Sequence, residues 1–242
     1  YLQIGDEKMA IHEAKQALLN KSTFDAELYM IIGFAKRRLA KYCEAIEALE
    51  EANAIVLAEN NEVSSNEFIG RNLLSLGQMY LYLGDINQAK AAYLSASKIH
   101  PNLRDKREAY SSYLICLHYD DAISNKEIFL QHLEYNNFFD AEIHPFADQN
   151  YQHKKIRVAY ISPDFRRHVM CFFYQAFLRN YNKERFEVYC YCLNEEDEIT
   201  TQFKGFVDSW QNVMELSPRA VAELIHNDEI DILFDLAGHS AN

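Results

Sequence analysis

Apolar and small residues recur three and four positions apart through the first half of the chain. Examples are Leu76, Gly77 and Tyr80, then Ala89, Tyr93 and Ala96, and later Tyr110, Tyr113, Leu114 and Leu117, then Ile128, Phe129 and Leu133. That is the period of a helix turning one face to a core. His144-Pro145 ends this region, and a polar connector runs from 147 to 155. The rhythm then changes. Ile156-Arg157-Val158-Ala159-Tyr160-Ile161 is rich in strand formers and closes on Ser162-Pro163-Asp164. The pattern beyond predicts a helix over 169–181, a strand over 186–193, a helix over 198–208 and a short strand over 213–216. A helix over 218–227 follows, with Ser217 as its N-cap, and then a buried strand over 230–236. Strands alternating with helices of this length imply a parallel sheet with crossover helices. The expected fold class is mainly α followed by α/β, with helical repeats over 1–102, a helical linker over 103–154 and a partial Rossmann-like lobe over 155–242.

The helical region repeats itself. Leu76-Gly77, Tyr80, Ala89, Tyr93, Ala96 and Pro101 keep the offsets of the tetratricopeptide pattern. Gly77 lets two helices approach, Ala89 and Ala96 keep the crossing thin, Tyr80 and Tyr93 fill the gap, and Pro101 stops the second helix. Ile32-Gly33, Ala45, Leu49 and Ala52 match these offsets, and Gly5-Asp6, Ala10, Ala14 and Ala17 mirror Gly84-Asp85, Ala89, Tyr93 and Ala96. The step from Ala10 to Ala45 is 35 residues and that from Ala45 to Ala89 is 44. The surplus coincides with the polar stretch 59–66, a longer loop or a helix extension. The unit at the start lacks its first helix, so the array is expected to continue towards the N-terminus.

A formal net charge of −12, with acid in excess in both halves, argues against a phosphate-gripping nucleic-acid surface. No apolar run is long enough for a membrane span and no signal peptide opens the chain. Cys43, Cys116, Cys171, Cys190 and Cys192 are scattered, without metal-ligand spacing. They read as buried reduced thiols of a cytoplasmic protein. No glycine-rich fingerprint follows the first strand, which speaks against a bound dinucleotide.

In a parallel sheet, ligands sit beyond the carboxyl ends of the strands. Two such ends carry chemically able residues, Ser162-Pro163-Asp164-Phe165-Arg166-Arg167-His168 and Asp235-Leu236-Ala237-Gly238-His239-Ser240. His168, between a strand end and a helix start and beside Arg166 and Arg167, is placed to stay neutral and accept a proton. His239 and Asp235 form the second candidate group. Asp235 either orients a histidine or caps its loop. Arg166 and Arg167 either face a diphosphate or are solvated.

Three segments in order, Tyr160 to His168, Phe186 to Tyr191 and Asp228 to His239, resemble the bacterial branch of the O-linked N-acetylglucosaminyltransferases, glycosyltransferase family 41. The segment from Tyr113 to Asp120 is similar to the one that joins repeats to the catalytic region there. The resemblance implies a two-lobed GT-B fold and direct displacement at the anomeric carbon of a UDP-sugar by Ser or Thr of a protein, without a metal or other cofactor. This chain would supply repeats that bind acceptor polypeptide on a concave face, and most of the first lobe. It would stop before the lobe that holds the uridine, so the chain by itself is expected to be inactive. His168 matches the family histidine beside donor and acceptor; in that setting His239 would contact the acceptor or donor sugar, and Arg166 would face the diphosphate. Val169-Met170-Cys171-Phe172 stands where the animal enzymes have Pro-Thr-Ser-His, so the second histidine of that motif is absent. Two other readings remain open: a binding scaffold whose transferase lobe has decayed, and a transferase using another sugar or an acceptor amide.

Overall fold

The computed structural model describes residues 5–20, 24–58, 62–139, 146 and 151–239. His144-Pro145 and most of the polar connector before 151 lie outside them. The chain divides into two compact units, 1–141 and 142–242.

The first unit is helical: α1 (Glu7–Leu18), α2 (Asp25–Arg38), α3 (Tyr42–Ala58), α4 (Glu62–Tyr82), α5 (Ile86–Ile99), α6 (Leu103–Leu117) and α7 (Asn125–Glu134), closed by a 3-10 turn at Tyr135–Phe138. The starts obey simple chemistry. Asp6, Asp85, Asn102 and Ser124 each accept a first-turn backbone N–H, which supplies donors that a helix leaves unpaired. Helices α2 and α3 pack as a hairpin, as do α4 and α5. A shared cluster of Ala45, Ile46, Leu49, Leu76, Met79 and Ala92 joins the two hairpins. A Cβ on Gly33 would lie 2.6 Å from Leu49, and one on Gly77 2.8 Å from Tyr93. Both glycines therefore sit where the spacing placed them, at helix contacts. Gly70 is a third close approach, pressed against the buried His100.

The 44-residue step is a helix extension: α4 runs 21 residues where its counterpart α2 runs 14. Residues 59–61 lie outside the described set. The turn between the paired helices also repeats. Gly5 and Gly84 both have positive φ, 79° and 77°. The matching residue of the middle repeat is Ala40, left-handed at φ 56°.

The second unit alternates: β1 (Ile156–Ser162), α8 (Cys171–Asn180), β2 (Phe186–Cys192), α9 (Glu198–Lys204), β3 (Ser209–Asn212), α10 (Pro218–Asn227) and β4 (Ile232–Asp235). All neighbouring strands pair in parallel, in the order β3-β2-β1-β4. The period of two sorts β2 between two cores. Val188, Cys190 and Cys192 join Phe165, Tyr174, Leu178 and Phe203 on the α8 and α9 side. Tyr191 joins Ala159, Val213 and Val221 on the α10 side. This is a doubly wound, Rossmann-like arrangement. Ser217 caps α10 as expected, its Oγ accepting from the Ala220 N–H.

Three expectations need correction. The third strand lies at 209–212, not 213–216. The Val213 N–H still bonds the Cys192 carbonyl at 2.8 Å, but Asn212 Oδ1 then takes the Met214 N–H and turns the chain. Met214 and Leu216 end up exposed, so 213–216 turns away from the sheet after the buried Val213. The helix expected over 198–208 stops at Lys204, with Gly205 as C-cap. The last strand is not buried. Ile232, Leu233 and Phe234 are 44%, 45% and 47% exposed, because β4 is the edge strand of the sheet among the described residues.

Candidate functional site

The strand order reverses between β1 and β4: β1 leads by crossover to β2 on one side, and β4 returns to its other side. Ligands of doubly wound sheets bind at that reversal, beyond the carboxyl ends. Both candidate loops start there. His168 follows β1 and His239 follows β4, so both lie beyond the same edge, as the parallel reading required.

The β1 loop is held by its own Ser162 and Phe165 and by three residues outside the motif, Tyr174, Asp197 and Thr200. Ser162 Oγ accepts the Asp164 N–H at 3.0 Å and lies 3.4 Å from the Tyr174 hydroxyl. Phe165 is fully buried against Tyr174, Phe203 and Trp210. Its carbonyl takes the hydroxyl of buried Thr200 at 2.7 Å. Asp197 N-caps α9 in a capping box with Thr200, and its second oxygen accepts the Arg167 N–H at 2.7 Å. Burial acts to raise the Asp197 carboxyl, but the amides of Arg167, Thr200 and Ile199 outweigh it and hold it below its ordinary range. The signal was present in the sequence as an Asp-x-x-Thr capping box at 197–200. What it could not disclose is that the same carboxylate also anchors the neighbouring loop.

The two arginines separate. Arg167 pairs with Glu198, so it is already engaged. Arg166 is exposed and makes no ion pair among the described residues, which leaves it the arginine able to meet an anion. The charge facing His168 is not arginine but Asp164, whose Oδ1 is 3.6 Å from Nδ1, too long for a hydrogen bond. The Met170 N–H points at the same Nδ1 from 3.4 Å. An accepting Nδ1 leaves the proton on Nε2 and makes that nitrogen a donor. Turning an Nδ1–H towards Asp164 would free Nε2 to accept.

Asp235 Oδ1 accepts the N–H groups of Ala237 and Gly238 at 2.9 and 3.1 Å. Its carboxylate thus caps the loop that carries His239, with Gly238 left-handed at φ 55°. Tyr174 connects the two loops electrostatically. Burial pushes its phenol up, the Ser162 contact opposes that, and the charges of Asp164 and Asp235 raise it further.

Residues 111–242 match the family described as Glycosyl transferase family 41. The chain belongs to that family. Among its curated relatives is the probable UDP-N-acetylglucosamine–peptide N-acetylglucosaminyltransferase SPINDLY of Oryza sativa subsp. japonica, 28% identical over 160 residues, which are 62% of this chain and 17% of that protein. The SEC protein of Arabidopsis thaliana, named as a probable enzyme of the same type, is 30% identical over 89 residues, 36% of this chain and 9% of that one. The fold matches a mutant O-GlcNAc transferase of Thermobaculum terrenum with a TM-score of 0.65 at 21% identity, covering 96% of this chain and 46% of that one. This family 41 chain spans about one-sixth of the length of the SPINDLY relative it matches. No helix among its described residues is long and apolar enough to cross a membrane.

Proposed function

We propose that this chain is the tetratricopeptide-type array and part of the first lobe of a GT-B protein glycosyltransferase. In this reading it moves N-acetylglucosamine from a UDP-sugar to Ser or Thr of a polypeptide. The observation that supports the reading is that the His168 and His239 loops leave the ends of the paired strands β1 and β4 side by side, within residues that match family 41. His168, with Asp164 and the Met170 N–H on its Nδ1 side, takes the acceptor proton on Nε2 in one tautomer and donates from Nε2 to a phosphate oxygen in the other. His239 contacts sugar or acceptor, Asp235 positions it by holding its loop, and Arg166 meets the diphosphate. The uracil and the rest of the diphosphate need a concave wall that buries them. The helical repeats offer a concave surface for the acceptor polypeptide. Five free thiols fit a reducing, cytoplasmic setting.

The test is His168→Ala in the full-length protein, assayed for transfer from UDP-N-acetylglucosamine to a peptide. Loss of general acid–base help costs roughly 10²–10⁴-fold in turnover, with the melting temperature unchanged because the ring is exposed. Undiminished turnover removes His168 from the chemistry. A full-length protein that binds peptide but never transfers sugar favours the scaffold reading.

A further inference from the structure

At the opposite, N-terminal edge of the sheet lies a charge cluster that the transfer reading does not use. His153, in the segment entering β1, places Nε2 2.9 Å from Glu229 Oε2 and Nδ1 3.2 Å from Asp231 Oδ2. Its side chain is only 13% exposed and its ring stacks on Tyr151, centroids 5.5 Å apart and planes 12° from parallel. Tyr151 in turn donates its hydroxyl to the His226 carbonyl at 3.4 Å. Asp231 Oδ2 also accepts the Arg157 N–H at 2.8 Å. The Arg157 guanidinium reaches Glu187, Glu229 and the Asp228 carbonyl at 3.0, 3.2 and 2.9 Å. The Asp228 carboxylate is turned away, to Tyr191 and Gln211. Lys154 and Lys155 form no ion pair among the described residues. Three carboxylates therefore face one permanent cation.

Glu229 is a second, independent sign. It stands just past the end of α10 with φ 51°. Its N–H bonds the His226 carbonyl at 3.0 Å, and that of Ile230 reaches the Ile225 carbonyl at 3.5 Å. This is the helix-ending turn whose left-handed position favours glycine. A glutamate there is conformationally disfavoured, and its carboxylate is bound from two sides, by His153 and Arg157.

We infer that doubly protonated His153 is a clasp fastening the segment that enters β1 to the turn that enters β4, and that loss of one ring proton opens it. A neutral imidazole has one N–H and one lone pair. It can donate to Glu229 or to Asp231, and the other carboxylate then faces a lone pair. Only the imidazolium satisfies both. Glu229 first, and then Asp231, hold the His153 pKa above its ordinary value, while burial and the Arg157 charge oppose them. A raised pKa fixes the sign. The clasp contributes in full below the ordinary imidazole value and is lost as pH rises through the higher folded value. Because β4 pairs with β1 alone among the described residues, opening loosens the start of the strand whose far end carries Asp235 and His239.

The experiment is a pH titration of the 242-residue chain by NMR, following the His153 ring and the hydrogen-exchange protection of the Arg157 amide, corrected for intrinsic rates. The ring should titrate above the ordinary histidine value, and Arg157 protection should fall about tenfold through that titration as a charge-assisted bond is lost. Glu229→Gly separates the clasp from backbone preference. Relief of the left-handed residue alone would raise protection at every pH. The clasp instead requires that the His153 pKa drop and that the pH dependence of Arg157 protection shrink. Glu229→Gln, which keeps the side chain's shape, should lower the His153 pKa in the same direction. The inference is overturned if His153 titrates at or below the ordinary value, or if Arg157 protection keeps its pH dependence in both variants.

Discussion

Replacing Ala40 by glycine should stabilise the chain, although glycine substitutions usually do the reverse. Ala40 follows α2 in a left-handed conformation, φ 56°. Its N–H bonds the Arg37 carbonyl at 3.0 Å, and that of Lys41 bonds the Lys36 carbonyl at 2.9 Å. An L-residue pays roughly 1–2 kcal/mol for this region. Glycine escapes that cost but adds about 0.4–1 kcal/mol of chain entropy to the unfolded state. Ala40 is exposed, so removing its methyl group leaves no cavity. The balance is a gain of about 0.5–1 kcal/mol. The neighbouring position carries a second, separable increment. Asp6 and Asp85 cap the helices that follow the other two turns, whereas Lys41 has no acceptor to offer. Lys41→Asp adds a cap worth about 1 kcal/mol and forfeits an exposed 3.3 Å pair with Glu44, worth less than about 1 kcal/mol. The assay is urea denaturation followed by helical circular dichroism, single and double variants side by side. The midpoint should rise for Ala40→Gly at unchanged slope, and the melting temperature by about 2–3 °C. A lowered midpoint would mean that position 40 is not left-handed and that the three turns are not equivalent.

Gly33→Ala and Gly77→Ala should each cost about 1–3 kcal/mol, because the new methyl groups would sit 2.6 Å from Leu49 and 2.8 Å from Tyr93; denaturation midpoints decide. Asp197→Ala should remove a cap and the anchor of the Arg167 amide together, costing about 1–2 kcal/mol. Since the Asp197 pKa is lowered in the fold, its contribution is present above the unfolded carboxylate value and fades as pH falls through the folded one. The Asp197→Ala penalty should therefore shrink in acid, as paired melts at pH 7 and pH 3 would reveal. Native alkylation read by mass spectrometry should label Cys43 first. That thiol is exposed, while burial raises the thiols of Cys116, to about 11, and of Cys190 and Cys192.

Much of the fold was legible because its signals are local. Gly33 and Gly77 announce helix contacts through spacing alone, and Ser217-Pro218 announces the start of α10. The readings that failed depend on partners distant in sequence. Whether 209–212 or 213–216 pairs with β2 is decided by register across the sheet, and both stretches carry residues able to form a strand. The exposure of β4 depends on strand order, which periodicity does not encode. At the site, His168, Asp235, Arg166 and His239 were visible as polar residues after strand ends. The contact of Asp164 with His168, the diversion of Arg167 to Glu198 and the anchoring by Asp197 became visible only in three dimensions, because each joins residues by loop shape. Glu229 gave no signal at all, since nothing in Asp228-Glu229-Ile230 marks the middle residue as left-handed.

The strand order carries a consequence for how the protein is made. β1 pairs with β2 across thirty positions, from Ile156 to Phe186, but with β4 across seventy-four, from Val158 to Ile232. The entropy of closing the longer loop is only about 1 kcal/mol greater than for the 20-position step from Tyr189 to Ser209. Time is the larger difference. At roughly 5–20 residues per second, a ribosome needs several seconds after Val158 before Ile232 exists. Throughout that interval the helical hairpins, whose contacts are local, can form. One edge of β1 meanwhile remains an unpaired row of amides and carbonyls in an apolar strand, open to chaperones or to the same edge on a neighbouring nascent chain.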